Sequence, residues 1–190
     1  MASIMVVPIG SVPAGHLFAV TTGINESFSM PVVRDTSNRI DPAFAFDPSR
    51  NQYYSTLLLS SLVRMFSSHR GKVLAVTEED LYIPVLTYVF GEAQLDGKAA
   101  IISTFRLDDT LYGLPANPRR FEERMIKEAV HELGHAFGLV HCRDFECVMH
   151  SSSGVEEVDL KSSSFCVQCT NTLQTSASGT MTDGYTRSHP

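Results

Sequence analysis

The sequence predicts an α/β (α+β) layered fold, and three observations lead there. Short apolar runs of strand length recur at residues 4–7, 72–77, 86–90 and 99–105. One helical pattern precedes the last three runs and another follows them, which suits helices packed on a sheet better than an all-β sandwich. The chain has 190 residues, 43% of them hydrophobic, enough for one sizeable core and ordinary for a globular protein.

Each element has a local reason. The N-terminal MASIMVVPIGSVP has no Lys or Arg before its apolar run, and the run stops at Pro8, so it reads as a buried strand at 4–7 rather than a secretion signal. DPAFAFDP at 41–48 carries two Asp-Pro steps and predicts a surface turn leading into a helix over 49–66. In that helix Tyr54, Leu57, Leu58, Leu62 and Phe66 keep a three-to-four spacing and make an apolar face for core packing. His69, Arg70 and Gly71 close it, and KVLAVT at 72–77 reads as a buried strand.

A strand at 86–90 is expected to run into Gly91, followed by the turn QLDGK and the last apolar run at 99–105. Asn117-Pro118 is a helix start, because Asn caps free N–H groups and Pro lacks a donor that the first turn could not pair anyway. Phe121, Met125, Ile126, Ala129, Val130, Leu133 and Phe137 continue from there as an apolar stripe. From Thr170 onward Ser, Thr and Gly dominate, so the expected organisation is one domain over residues 1–170 and a poorly packed tail over 171–190.

Charge and apolar patterning exclude some partners. A net charge of −6 gives no attraction to nucleic acid or anionic lipid, and no apolar stretch is long enough to span a bilayer. Lacking a targeting segment, the chain is expected in the reducing cytoplasm, where paired cysteines bind metals more often than they form disulfides. Nothing in the sequence sets the oligomeric state.

Residues 131–141 carry the chemistry: His131-Glu132-x-x-His135-x-x-Gly138-x-x-His141 is a zinc-peptidase pattern. At average residue usage its five fixed positions recur by chance at roughly one start site in a million. His131 and His135 are four apart on the expected helix, so both rings leave one face, about 5–6 Å apart at Cβ. Glu132 falls on the adjoining flank, where a base for water belongs, and Gly138 stops the helix so that His141 can return as a third ligand. Three protein ligands leave one coordination position open, the mark of a catalytic zinc. Any one of these histidines alone would be read as a core or surface residue; three of the chain's seven within one motif are not.

Four cysteines follow in two pairs, Cys142 with Cys147 and Cys166 with Cys169. The spacing suits a closed tetrahedral structural zinc over 142–169. A redox role for the Cys166–Cys169 pair lacks the flanking thioredoxin-like pattern, and disulfides fit poorly with a cytoplasmic setting.

The two clusters together resemble the archaemetzincin family. The matching residues are His131, Glu132, His135, Gly138, His141, Cys142, Cys147, Met149, Phe165, Cys166 and Cys169, within about residues 117–170. The resemblance implies a compact metzincin-like catalytic domain: a small mixed sheet, an active-site helix and a C-terminal four-cysteine zinc unit. It further implies two zinc ions, one catalytic and one structural, and hydrolysis of peptide bonds through a metal-activated water with Glu132 as general base. Met149 would be the methionine of the turn beneath the metal, and the resemblance also suggests that the run at 99–105, as an exposed edge strand above the metal, would accept an extended peptide through backbone hydrogen bonds.

The sequence departs from some metzincins after Met149, where His150 and Ser151 stand in place of a tyrosine two residues on. Stabilisation of the transition state is therefore expected to rest mainly on the zinc. No upstream propeptide cysteine is present to block the metal. The competing reading is a zinc-stabilised module that binds peptides or proteins without turning them over; Glu132 favours the enzyme, since binding needs no base there. Nucleic-acid binding by the cysteine unit is disfavoured, because only Arg143 and Lys161 are basic between Cys142 and Cys169.

Overall fold

Strands covered on both faces do not alternate apolar with polar residues, and the longest apolar runs of this chain form such strands. The computed structural model describes residues 1–38 and 40–177. In chain order the elements are β1 (Ser3–Ile9), α1 (Ala14–Ser27), β2 (Val32–Arg34), β3 (Phe46–Asp47), β4 (Gln52–Tyr54), α2 (Ser55–Met65), β5 (Gly71–Thr77), β6 (Leu81–Tyr82), β7 (Gly91–Ala93), β8 (Ala99–Ser103), α3 (Pro118–Ala136), α4 (Val155–Leu160) and α5 (Val167–Ala177). The main sheet has the order β2-β1-β5-β8-β7, parallel except for β7, which runs antiparallel to β8. A small sheet, β3-β4-β6, stands apart from it.

Successive side chains of the central strands go to opposite faces. Ile4, Val6, Leu74, Val76, Ala100 and Ile102 pack with α1 and α3, through Leu17, Val20, Ile24, Met125, Ala129 and Leu133. Val7, Ile9, Val73, Ala75, Ala99 and Ile101 pack with Leu58, Leu59 and Leu62 of α2 on the other face. This is the expected layered α/β arrangement, and it lays α3 across one face of the sheet.

Several expectations need correction. The helix read over 49–66 begins only at Ser55, because Asp47 accepts hydrogen bonds from the Ser49 backbone and hydroxyl while Asn51 takes a positive φ, folding 48–51 into the turn between β3 and β4. Its buried face is Leu58, Leu59, Leu62 and Phe66, with Leu57 exposed. The strand read at 86–90 is a loop, where Pro84 interrupts pairing and Val85 and Leu86 face solvent; only Val89 bridges, to Leu81. The run at 99–105 is not an edge: β8 lies between β5 and β7 with all five residues buried, and the sheet ends at β7.

Helix α1 had no counterpart in the sequence reading. Pro13 at its N-cap supplies no side-chain bond and its first turn holds no acid, so the helix depends on burial of Leu17, Val20 and Ile24. At the other end of the chain α5 runs to Ala177, past the residue where the tail was drawn, and Leu173 packs against the core. Residues 178–190 of the expected tail lie outside the described residues. Among the described residues no helix is long and apolar enough to cross a membrane.

Helix α3 is fastened to α4 by a buried arginine. Arg124 donates to the Leu107 carbonyl and to Asp109, at 2.7 and 2.8 Å, and its other nitrogens take both oxygens of Asp159 at 2.7 Å. Removing the cation leaves Asp159 without its two-point partner and Asp109 with only Arg120, 3.5 Å away, so Arg124→Met should lower stability by about 3 kcal/mol. Urea unfolding measures this, and a change within about 0.5 kcal/mol would show the network to be dispensable.

Candidate metal centre and active cleft

Asn117 caps α3 by accepting from the Arg120 backbone N–H at 3.1 Å, as the sequence indicates, and the helix then carries His131, Glu132 and His135 towards its C-terminal end. Gly138 ends it at φ +93°, where the Gly138 N–H reaches the His135 carbonyl and the Leu139 N–H reaches the Gly134 carbonyl, both at 2.9 Å. That pair of bonds is a Schellman turn, and its left-handed residue favours glycine. The turn brings His141 back over the helix, so the ligand nitrogens of His131, His135 and His141 all lie within 4.8 Å of one another.

The same turn orients one of the rings. His135 Nδ1 lies 2.7 Å from the Leu139 carbonyl, and His131 Nδ1 lies 2.8 Å from that of Val148. A carbonyl only accepts, so each Nδ1 carries the hydrogen and each neutral ring turns an Nε2 lone pair inward. These two Nε2 atoms are 3.1 Å apart. Burial lowers the proton affinity of all three imidazoles, most strongly at His131, so a proton is a poor mediator between the lone pairs. Nitrogens about 2.0–2.1 Å from one tetrahedral zinc stand about 3.3 Å apart, so the donor set fits that ion.

Cys142, Cys147, Cys166 and Cys169 also converge, with sulfurs within 4.8 Å of one another and no disulfide among them. Cys142 and Cys166 sulfurs are 3.8 Å apart. Four thiolates at about 2.3 Å from one zinc would be separated by about 3.8 Å, so this set fits too. The Cys169 backbone N–H lowers the Cys166 thiol below its ordinary value, whereas burial raises Cys147 and Cys169.

The loop between the clusters serves both. Val148 supplies the carbonyl for His131, the Met149 carbonyl accepts from the Cys142 N–H at 2.9 Å, and buried Met149 packs beneath α3 at Gly134. His150, next along, keeps its Nδ1 3.0 Å from the Cys142 carbonyl.

Glu132 is buried in the wall of a cleft of about 410 Å³, together with His131, His141, Glu128, Lys161, residues 86–91 and Ser151, Ser152 and Ser153. β7 passes so close that a Cβ at Gly91 would stand 2.6 Å from Glu132 Cγ; only glycine leaves the carboxyl its place. Burial first, then Glu128 and Glu92, push this carboxyl well above the ordinary carboxylate range, while Lys161 opposes them. A divalent cation nearby would act in the same direction as Lys161.

Sequence reasoning missed much of this wall. Lys161 Nζ lies 2.9 Å from Glu128 Oε1, with both side chains almost wholly buried. The Ser152 hydroxyl is buried without a hydrogen-bond partner among the described residues. For Glu128 the available signal was its place one helical turn before Glu132; Lys161 and Ser152 had none.

Comparison with known proteins identifies the family. The profile of Peptidase family M54 matches residues 31–175. The archaemetzincin of Methanocaldococcus jannaschii is 41% identical over 172 residues, covering 90% of this chain and 92% of that protein. Among solved structures, archaemetzincin from Methanopyrus kandleri superposes with a TM-score of 0.80 at 36% identity, covering 93% of this chain and 96% of that one. A zinc-dependent peptidase from Methanocorpusculum labreanum gives 0.80 at 32% identity, covering 90% and 100%. The fold, the histidine motif and these matches agree, and the chain belongs to peptidase family M54, the archaemetzincin family of zinc metallopeptidases.

Proposed function

We propose that His131, His135 and His141 hold a catalytic zinc, that Cys142, Cys147, Cys166 and Cys169 hold a structural one, and that Glu132 is the general base of peptide hydrolysis. The observation that carries the reading is the pair of inward Nε2 lone pairs 3.1 Å apart, with the Glu132 carboxyl in the adjoining cleft. When bound there, zinc supplies a Lewis acid that polarises a carbonyl and acidifies water.

The chain's own residues do the rest. The Val148 and Leu139 carbonyls fix the ring orientations. Glu132 takes a proton from the attacking water and returns it to the leaving amine, so one carboxyl serves as base and then acid. The open side of β7 borders the cleft, and an extended peptide adding to it would gain backbone hydrogen bonds without demanding particular side chains. Peptide or protein segments are therefore the substrates. A cytoplasmic setting suits four zinc-binding thiolates, which must stay reduced.

Stripping the metals with a chelator should abolish hydrolysis of a peptide library, and added zinc should restore it. Metal analysis of the reloaded protein should find two zinc ions per chain. Hydrolysis that survives complete removal of metal would sink the proposal.

A further inference from the structure

A hydrogen bond joins the two walls of the cleft. Tyr88, on the 86–91 wall, donates its hydroxyl to the Ser153 carbonyl on the facing wall at 2.8 Å. Both ends are held. The Arg106 guanidinium lies over the Tyr88 ring, 4.2 Å from its centroid, while pairing with both oxygens of Asp80 at 2.6 Å; Phe90 meets the ring edge-on at 5.4 Å. Across the cleft, Glu157 reaches back from the first turn of α4 to accept from the Ser153 N–H.

Tyr88 stands three residues before Gly91, the residue against Glu132. Three residues span at most about 10 Å, so a peptide lying along this wall meets the cross-bridge within about three residues of the base. We propose that the Tyr88–Ser153 bridge closes one end of the cleft and makes Tyr88 a specificity-determining residue. Peptides with few residues on that side fit beneath it, and longer ones must break it. The discrimination against length should therefore be about fivefold to tenfold, the cost of one neutral hydrogen bond. The inference rests on the zinc-peptidase reading above.

Peptide hydroxamates test it by binding alone, because the hydroxamate anchors one peptide end at the catalytic zinc. A C-terminal hydroxamate sends the peptide to one side and an N-terminal hydroxamate to the other. Short and long members of each series are titrated calorimetrically into the zinc-loaded protein and into Tyr88→Phe, which keeps the ring and removes the bridge. The expected result is weaker binding of the long ligand, by about fivefold to tenfold, on one side only, with the difference abolished in Tyr88→Phe. Equal affinity for short and long ligands on both sides would overturn the inference while leaving the peptidase reading intact. So would a length penalty that persists in Tyr88→Phe, or an equal weakening of every ligand by the substitution. Failure of even the short hydroxamates to bind would overturn the zinc-site reading, and this inference with it.

Discussion

Glu132→Gln is expected to lower peptide turnover by about 100-fold or more while zinc stays bound at the histidines. Glutamine preserves the volume packed against Gly91 and lacks only the capacity to take a proton. Among the described residues no other carboxyl at the cleft stands ready to replace it. Glu128 is paired with Lys161, and Glu92 is occupied by the hydroxyls of Ser55 and Thr56. The comparison requires equal zinc loading in wild type and variant, with hydrolysis of one cleaved peptide followed in both. Equal rates would remove Glu132 from the mechanism.

A larger effect on the whole molecule is expected from Cys166→Ser with Cys169→Ser. Structural zinc bound by thiolates contributes about 10 kcal/mol or more of apparent binding free energy, similar to the entire stability of a small domain. Losing it should lower the melting temperature sharply. It should also weaken the histidine site, because the loop between the clusters is pinned from both sides. The Val148 N–H bonds the Ser164 carbonyl at 2.9 Å, and the Val148 carbonyl orients His131. His131→Ala with His135→Ala should instead empty only the histidine site, since α3 is held by Met125, Ala129, Val130 and Leu133 in the core. Zinc content and thermal unfolding of both double variants decide it. A cysteine variant with full histidine-site zinc and an unchanged melting temperature would show that the cysteine unit supports nothing beyond itself.

The proposed metal ligands were legible because their geometry is local. A four-residue interval on a helix, a glycine that must end it and a third histidine three residues later place three rings with no knowledge of the sheet. The cysteine pairs were legible for the same reason. Sheet order was not, because a strand buried on both faces reads as the same apolar run whether it is central or at an edge. That is why 99–105 looked available to a peptide, whereas the edge belongs to Gly91–Ala93, too short to show any period. Helix α1 was hidden by its lack of end signals and is held by tertiary burial, and Tyr88 and Ser153 meet only across the cleft.

The parallel sheet also sets an order of assembly. β1 pairs with β5 from Ser3↔Gly71 to Ile9↔Thr77, and β5 with β8 from Val73↔Ala99 to Thr77↔Ser103. Such distant pairings must close large loops before they gain any contact energy, which makes them slow steps. The seven residues proposed to bind metal, by contrast, lie between His131 and Cys169, C-terminal to every strand of the sheet. The cysteine unit closes through loops of fewer than about twenty residues, whereas the ring of His131 is oriented only once the Val148 carbonyl, held by the Val148 N–H bond to Ser164, is in place. Metal offered to the nascent chain is therefore expected to fill the sulfur site first, with the histidine site completed once the 148–164 loop has closed.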